Sequence, residues 1–252
     1  MLKVEWKGEV LHLELNRPEV RNAFNDLLIA ELHKEVLAAE GRARVILITG
    51  AGKAFCAGGD LNWMKSTADN SIEENQADAF KLASLLRSLA DSSAVVIAGV
   101  QGSVFGGGCG LVAAADYTVA AENAQFCFSE VKLGLVPAVI SPHVITKIGQ
   151  GQTRALFTTA LVFGAERAEK IGLAQEVVPL ENLGLRVWEL AAMILKNGPE
   201  ATAMAKKVAM NPPMTDQESS ALLADRRASA EGQEGMAAFL QKRPAAWVKE
   251  LE

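Results

Sequence analysis

The order of hydrophobic patterns predicts an α/β architecture, a sheet buried under helices. Two short, continuous apolar runs, Val45-Ile-Leu-Ile-Thr49 and Ala94 to Val100, read as strands buried on both faces. Apolar residues recur at helical spacing before the first run, at Leu28, Leu32, Val36 and Leu37, and a second helix is expected between the runs from about Ile72 to Leu89. Strand and helix signals thus alternate through the first two thirds of the chain.

Taken in order, Leu2, Val4 and Trp6 and then Leu11, Leu13 and Leu15 alternate around Lys7-Gly8, which predicts an opening hairpin. The first helix falls within Asn25 to Ala39, and Gly50 stops the strand that follows. A loop, AGKAFCAGGDLNWM, leads to the second helix, and the second strand leads into SVFGGGCGLVAAAD, residues 103–116. Tyr117 to Ala121 is the next strand candidate. Beyond about Gly164 strand signals thin out and the chain reads mostly as helices. Pro142 suits a first helical position behind Ser141 as N-cap, Pro199 lies near another helix start, and Pro212-Pro213 marks a break before a helix over Asp216 to Ala230. No low-complexity linker or fixed-period repeat interrupts this order.

With 252 residues, 50% of them hydrophobic, the chain can bury a substantial core as one large domain or a domain with an appendage. Cys56, Cys109 and Cys127 are odd in number and form no CxxC pair, so neither a disulfide framework nor a zinc site is suggested. A reducing, cytoplasmic setting is expected. The start MLKVEWKGEV has no basic, apolar leader pattern. Ser92 to Ala115 carries no charge and is long enough to span a bilayer, but its six glycines, Gln101 and three serines suit a buried strand, loop and helix better. A net charge of −5, with mixed signs and no Lys/Arg run longer than two, gives nucleic acid no electrostatic footprint.

Several common chemistries fail on spacing. His12, His33 and His143 are too scattered to share a metal, and no GxSxG elbow surrounds a serine. Gly50-Ala-Gly-Lys53 lacks the spacing and the hydroxyl of a phosphate loop, since Ala54 follows the lysine. Gly108-Cys-Gly110-Leu-Val-Ala113 formally satisfies GxGxxA, but Glu130, the acid twenty residues on, falls well beyond the next strand candidate. Two glycine-bearing turns remain, Cys56-Ala-Gly-Gly-Asp60 and Phe105-Gly-Gly-Gly-Cys109, each placed after a buried strand. They could aim two backbone N–H groups at one point as an oxyanion hole, or simply permit tight strand-to-helix packing. Spacing alone leaves both readings open.

The segments AFCAGGDL, GGGCGLVAAAD, AQFCFSEVKLGLVP, AEKIGLAQEVVP and EGMAAFLQKRPAAW, in this order, resemble the crotonase superfamily of enoyl-CoA hydratases and isomerases over essentially the whole chain. The resemblance implies a spiral of repeated ββα units over residues 1–195. A C-terminal helical segment, 196–252, would serve oligomerisation and cover the CoA. It also implies a homotrimer or dimer of trimers, and a coenzyme A thioester as substrate with no separate cofactor. The thioester oxygen would be held by the N–H groups of Gly59 and Gly107. Ala23, Ala57, Asp60 and Leu61 fall at positions that line the CoA channel, Phe105, Ser129 and Leu133 at further substrate-binding positions, and Phe239 and Lys242 near the nucleotide end.

Glu130, in FSEVKLG, matches one of the two glutamates of the family's hydratases. The other is missing: its position is Gly110. The wider pattern is most similar to methylglutaconyl-CoA and carboxygeranoyl-CoA type hydratases, whose members commonly carry glycine there, so hydration with Glu130 as acid/base is the main expectation. The space at Gly110 would then admit substrate bulk or a substrate carboxylate. Glu73, Glu74 and Asp69 are candidates for a second acid. The alternatives are a Δ3,Δ2-enoyl-CoA isomerase using the same glutamate, and a non-catalytic CoA-binding scaffold.

Overall fold

The computed structural model describes residues 1–211 and 213–251. Pro212, half of the predicted break, lies outside them. Strands β1 (Leu2–Lys7) and β2 (Val10–Leu15) form the expected hairpin, with Lys7 opposite Val10. Strands β3 (Val45–Gly50), β4 (Val95–Val100), β6 (Tyr117–Ala121) and β9 (Glu176–Val178) continue the sheet in parallel, in the order β1-β2-β3-β4-β6-β9.

The apolar runs are continuous because both faces of this sheet are covered. Successive side chains point to opposite faces, so Ile46, Ile48, Val96 and Ala98 join one buried cluster while Val45, Leu47 and Ile97 join another. The first cluster lies under α1 (Asp26–Ala38), α3 (Ile72–Asp91) and α4 (Gly107–Ala114), and the second under α7 (Leu183–Ile194). Asn25 caps α1 by accepting from the Leu28 N–H, and Ser71 with Glu74 forms a capping box on α3.

A second, three-stranded sheet runs β5-β7-β8, from β5 (Ser103–Phe105), β7 (Gln125–Cys127) and β8 (Phe163–Gly164). It gives the spiral its repeat: β4, β5 and α4, then β6, β7 and α5 (Ser141–Thr159), each send a first strand to the large sheet and a second to the small one. An isolated bridge between Cys56 and Val104 puts residues 56–60 in the equivalent place one repeat earlier, after β3 and before α2 (Leu61–Ser66) and α3. The charge-free segment 92–115 is therefore a buried strand, a short strand and a helix, and no helix among the described residues is long and apolar enough to cross a membrane.

Helix α5 begins at Ser141 with Ile140 as N-cap, so Ser141 and Pro142 are its first two residues, one step from the predicted cap. After α6 (Ala165–Lys170) and α7 come α8 (Pro199–Met210), α9 (Asp216–Ala228) and α10 (Ala230–Leu240). Lys206 of α8 ties this end to the core: its ammonium donates to the Leu89 and Ala94 carbonyls and pairs with Asp116 at 2.8 Å. Arg44 likewise donates to the carbonyls of Ile194, Asn197 and Trp247.

Candidate active site

Strand register brings the two glycine turns together. Cys56 lies beside Val104, which lies beside Phe126. Just beyond these pairs the chain turns, and a Cβ on Gly106 would lie 3.8 Å from the Gly58 Cα and 3.4 Å from Glu130 Oε1, so Gly58-Gly59, Gly106-Gly107 and Ser129-Glu130 are neighbours. The turns also bind each other, with the Phe105 N–H donating to the Cys56 carbonyl at 2.9 Å.

The bare backbone of the second turn is enforced on every side. Gly106 has φ +52° and ψ −118°, open only to glycine in practice. A Cβ on Gly107 would stand 2.8 Å from the Phe24 ring, and one on Gly108 would stand 2.9 Å from the Cys56 Cβ. Opposite, the first turn is stitched to residues 21–24: Phe24 N–H to Gly58 O at 2.8 Å, Asp60 N–H to Phe24 O at 2.7 Å and Ala57 N–H to Arg21 O at 3.0 Å. Asn22, buried with a positive φ, fixes that strap by donating to the carbonyls of Ala51 and Ala54. The amides of Gly59 and Gly107 are left over, since neither N–H has an acceptor among the described residues. Gly107 also occupies the first turn of α4, where orphan amides carry the positive end of the helix dipole.

Glu130 brings a carboxyl to this point. It opens a short 3₁₀ turn, Glu130–Leu133, closed by Gly134 at φ +72°. Its Oε1 lies 3.4 Å from where a Cβ on Gly106 would stand, and its Oε2 is buried without a hydrogen-bond partner among the described residues. Burial raises its carboxyl above the ordinary carboxylate range, opposed in part by a hydrogen bond from its own backbone N–H. An acid in that state can hold or release a proton nearer neutrality.

Two expectations are corrected. Asp60 does not turn its side chain to a channel: it is 4% exposed, pairs with Arg17 at 2.7 Å and caps α2 through the N–H groups of Asn62 and Trp63. The Arg17 guanidinium holds its carboxyl below the usual range. Nor does Gly110 leave a vacancy, because a Cβ there would meet Ile140 Cγ2 at 2.5 Å and Leu86 Cδ1 at 3.2 Å. The space that the missing glutamate would need is filled by packed hydrocarbon.

The other sequence-derived positions divide. Ala23 is buried and its carbonyl accepts from Arg17, while Ala57, Phe105 and Ser129 are half-buried beside the turns. Leu61 and Leu133 project into solvent, 73% and 60% exposed. Phe239 is 83% exposed, and no hydrogen bond among the described residues joins it or Lys242 to either turn. Among the second-acid candidates, Glu74 is bound into the capping box, and its start of α3 lies about 12 Å along the helix from Leu82, the residue near Gly107. Glu73 and Asp69 stay exposed. His12 is held by Thr49 and His33 by Ser88, and burial lifts the Cys56 thiol to about 12, so none of these is poised to react. Leu82, Phe24, Leu86 and Ile140 shape the site without any signal in the sequence beyond ordinary core positions.

The model of the enoyl-CoA hydratase/isomerase family matches residues 5–250. The chain belongs to that family. It is 34% identical to the crotonyl-CoA hydratase of Syntrophomonas wolfei over 98% of this chain and 97% of that one. A crystal structure from Legionella pneumophila assigned to the enoyl CoA hydratase/isomerase (crotonase) class superposes with a TM-score of 0.94 at 41% identity, covering 98% of both chains. An enoyl-CoA hydratase from Shewanella pealeana superposes at 0.92 and 35% identity, covering 98% of this chain and 95% of that one. The spiral of strand-strand-helix units is thus the crotonase fold, and this enoyl-CoA hydratase/isomerase family enzyme carries Glu130 and two free glycine amides where its spiral repeats converge.

Proposed function

We propose that the enzyme adds water to, and removes it from, the 2,3-double bond of an acyl-CoA thioester, with Glu130 as its single acid/base group. The observation that carries this reading is a half-buried carboxyl, one oxygen of it buried without a partner, beside two free amides. In the hydration direction the Glu130 carboxylate takes a proton from water as the oxygen bonds to the β-carbon. The double-bond electrons move onto the thioester oxygen, which Gly59 and Gly107 hold as an enolate. The resulting Glu130 acid returns the proton to the α-carbon, so both groups arrive from one face. The balance is one water consumed, and the scheme takes no separate cofactor or metal.

The acyl group is branched or glutaconyl-like, a reading that rests on the motif resemblance and on the absence of a second carboxylate at Gly110. Turnover of 3-methylglutaconyl-CoA against crotonyl-CoA tests it, and a clear preference for crotonyl-CoA sinks it. Isomerisation of a 3-enoyl-CoA by the same glutamate is the second reading, favoured by the same missing acid. Offering 2-enoyl and 3-enoyl thioesters and following hydroxyacyl-CoA against double-bond migration separates the two. If E130Q keeps either activity, the assignment of Glu130 is wrong.

Ala23, Ala57, Leu61, Phe105, Ser129 and Leu133 are assigned to the acyl-CoA channel, with Phe239 and Lys242 approaching the nucleotide of a neighbouring copy. The segment 196–252 serves assembly into trimers or paired trimers in the cytoplasm. The adjacent Phe239 and Leu240 of α10, 83% and 79% exposed, support assembly through this segment. Sedimentation of a single-chain species at micromolar concentration would overturn it.

A further inference from the structure

Ser129 stands in a capping position and does not cap. It precedes the 3₁₀ turn Glu130–Leu133 as its N-cap, with φ −90° and ψ −4°, and its side chain makes no capping hydrogen bond. Ser71, Thr215 and Ser229 hold the same place before α3, α9 and α10 in extended backbone, with ψ of 166°, 160° and 156°, and each accepts from the N–H three residues on. An N-cap hydroxyl meets those amides from the extended region. The backbone of Ser129 lies outside it, so its hydroxyl points elsewhere.

The direction it takes is toward the reacting centre. The nearest neighbours of a Cβ on Gly106 would be Glu130 Oε1 at 3.4 Å, the Gly58 Cα at 3.8 Å and Ser129 Oγ at 3.8 Å. Carboxyl and hydroxyl thus face one point between the two glycine turns. Ser129 is half-buried, and its hydroxyl joins no hydrogen bond among the described residues. The backbone beneath both groups is fixed, since the Lys132 N–H donates to the Ser129 carbonyl at 3.0 Å and the Leu135 N–H to the Glu130 carbonyl at 3.1 Å.

Adding water to a double bond takes more than a base. The attacking oxygen must present a lone pair to the β-carbon while one of its hydrogens meets Glu130, and a water held by a single contact turns freely about it. A second acceptor removes that rotation. No carboxylate supplies it from Gly110, where Ile140 and Leu86 occupy the side-chain direction, and Glu74 is bound into its capping box. A hydroxyl suffices for the task, because its lone pairs accept the second O–H of the water and no proton need change hands.

We propose that Ser129 Oγ orients the attacking water together with Glu130. The water gives one hydrogen to the Glu130 carboxylate, donates its other O–H to Ser129 and turns a lone pair to the β-carbon. Glu130 returns its proton to the α-carbon, while Ser129 neither gains nor loses one. In dehydration the departing hydroxyl donates to Ser129 in the same way. The inference rests on the hydration reading above and adds a water-orienting residue to it. Ser129→Ala should lower kcat by about tenfold to 10²-fold on whichever of crotonyl-CoA and 3-methylglutaconyl-CoA the native enzyme hydrates. KM should stay within about twofold, since the amides of Gly59 and Gly107 hold the thioester. Exchange of the α-protons of butyryl-CoA with D2O, followed by NMR, uses Glu130 and both amides but no attacking water. It should be unchanged in S129A and lost in Glu130→Gln. If S129A hydrates at the native rate, or loses exchange in proportion to hydration, the role of Ser129 is overturned while the hydration reading stands. A native enzyme that exchanges the protons but hydrates neither thioester overturns that reading, and the role of Ser129 with it.

Discussion

Gly107 and Gly110 lie one turn apart on α4 and are bare for opposite reasons. At Gly107 the Phe24 ring closes the side-chain direction while the amide stays free, near the Glu130 carboxyl with its unpartnered Oε2. At Gly110 the amide is bonded to the Gly106 carbonyl at 3.2 Å, and Ile140 and Leu86 press on the side-chain position. One end of a two-turn helix is kept open for chemistry, the other is sealed by packing. A glycine run in sequence thus says that side chains are excluded, and only the surroundings say what excludes them.

The largest expected effect tests the open end. Glu130→Gln should lower hydration by about 10²- to 10⁴-fold, followed by loss of absorbance of the enoyl thioester. The same variant should raise Tm at neutral pH. Because burial lifts the Glu130 carboxyl, the folded state bears the cost of its charge at pH values above that raised value. The gain should fade as pH drops through the raised value and vanish below the ordinary carboxylate range; a Tm gain unchanged at low pH would contradict it. For the same reason the acid limb of kcat/KM should lie above the ordinary carboxylate range.

Next, Gly107→Ala forces a methyl into the Phe24 ring and should shift the amide enough to cost about 10²- to 10³-fold in kcat. Phe24→Leu in the same chain should recover part of the loss. If G107A alone retains full activity, the two ends of α4 do not differ as described. Asp60→Ala tests the opposite turn by leaving Arg17 without its buried partner, at a cost of about 3 kcal/mol in chemical denaturation. Its pH dependence has the opposite sign to that of Glu130. The pair stabilises the fold above the ordinary carboxylate value, and that stability is lost as pH falls through the depressed value of Asp60. The smallest effect belongs to the sealed end, where Gly110→Ala overpacks the core by about 1–3 kcal/mol. In an Ile140→Ala background, which lacks the clashing Cγ2 methyl, the added cost of G110A should shrink, with the change appearing in Tm rather than in KM.

Much of this was legible in the chain because it depends on local pattern. The hairpin, the two double-sided strands and the helices over 26–38 and 72–91 follow from periodicity, and the glycine turns from their place after strands. The spiral repeat was not visible as a period, because Cys56 and Val104 are separated by the long helix α3 while Val104 and Phe126 are separated only by α4 and β6. Asp60 read as a channel residue because nothing in the segment AFCAGGDL reveals that Arg17, 43 residues earlier, takes its carboxylate. The vacancy at Gly110 failed for the same reason: Ile140 fills it from another repeat.

The clamp at Arg44 bears on how the chain reaches this structure. Its guanidinium sits at the start of β3, yet its acceptors lie 150 to 203 residues downstream. During synthesis the central strands can pair while that cation still lacks every one of its carbonyls. Such long-range closure slows folding and exposes incomplete intermediates to aggregation. The last stretch around Trp247 acts as a latch on a sheet assembled long before it, and refolding kinetics should show that latch as a late phase.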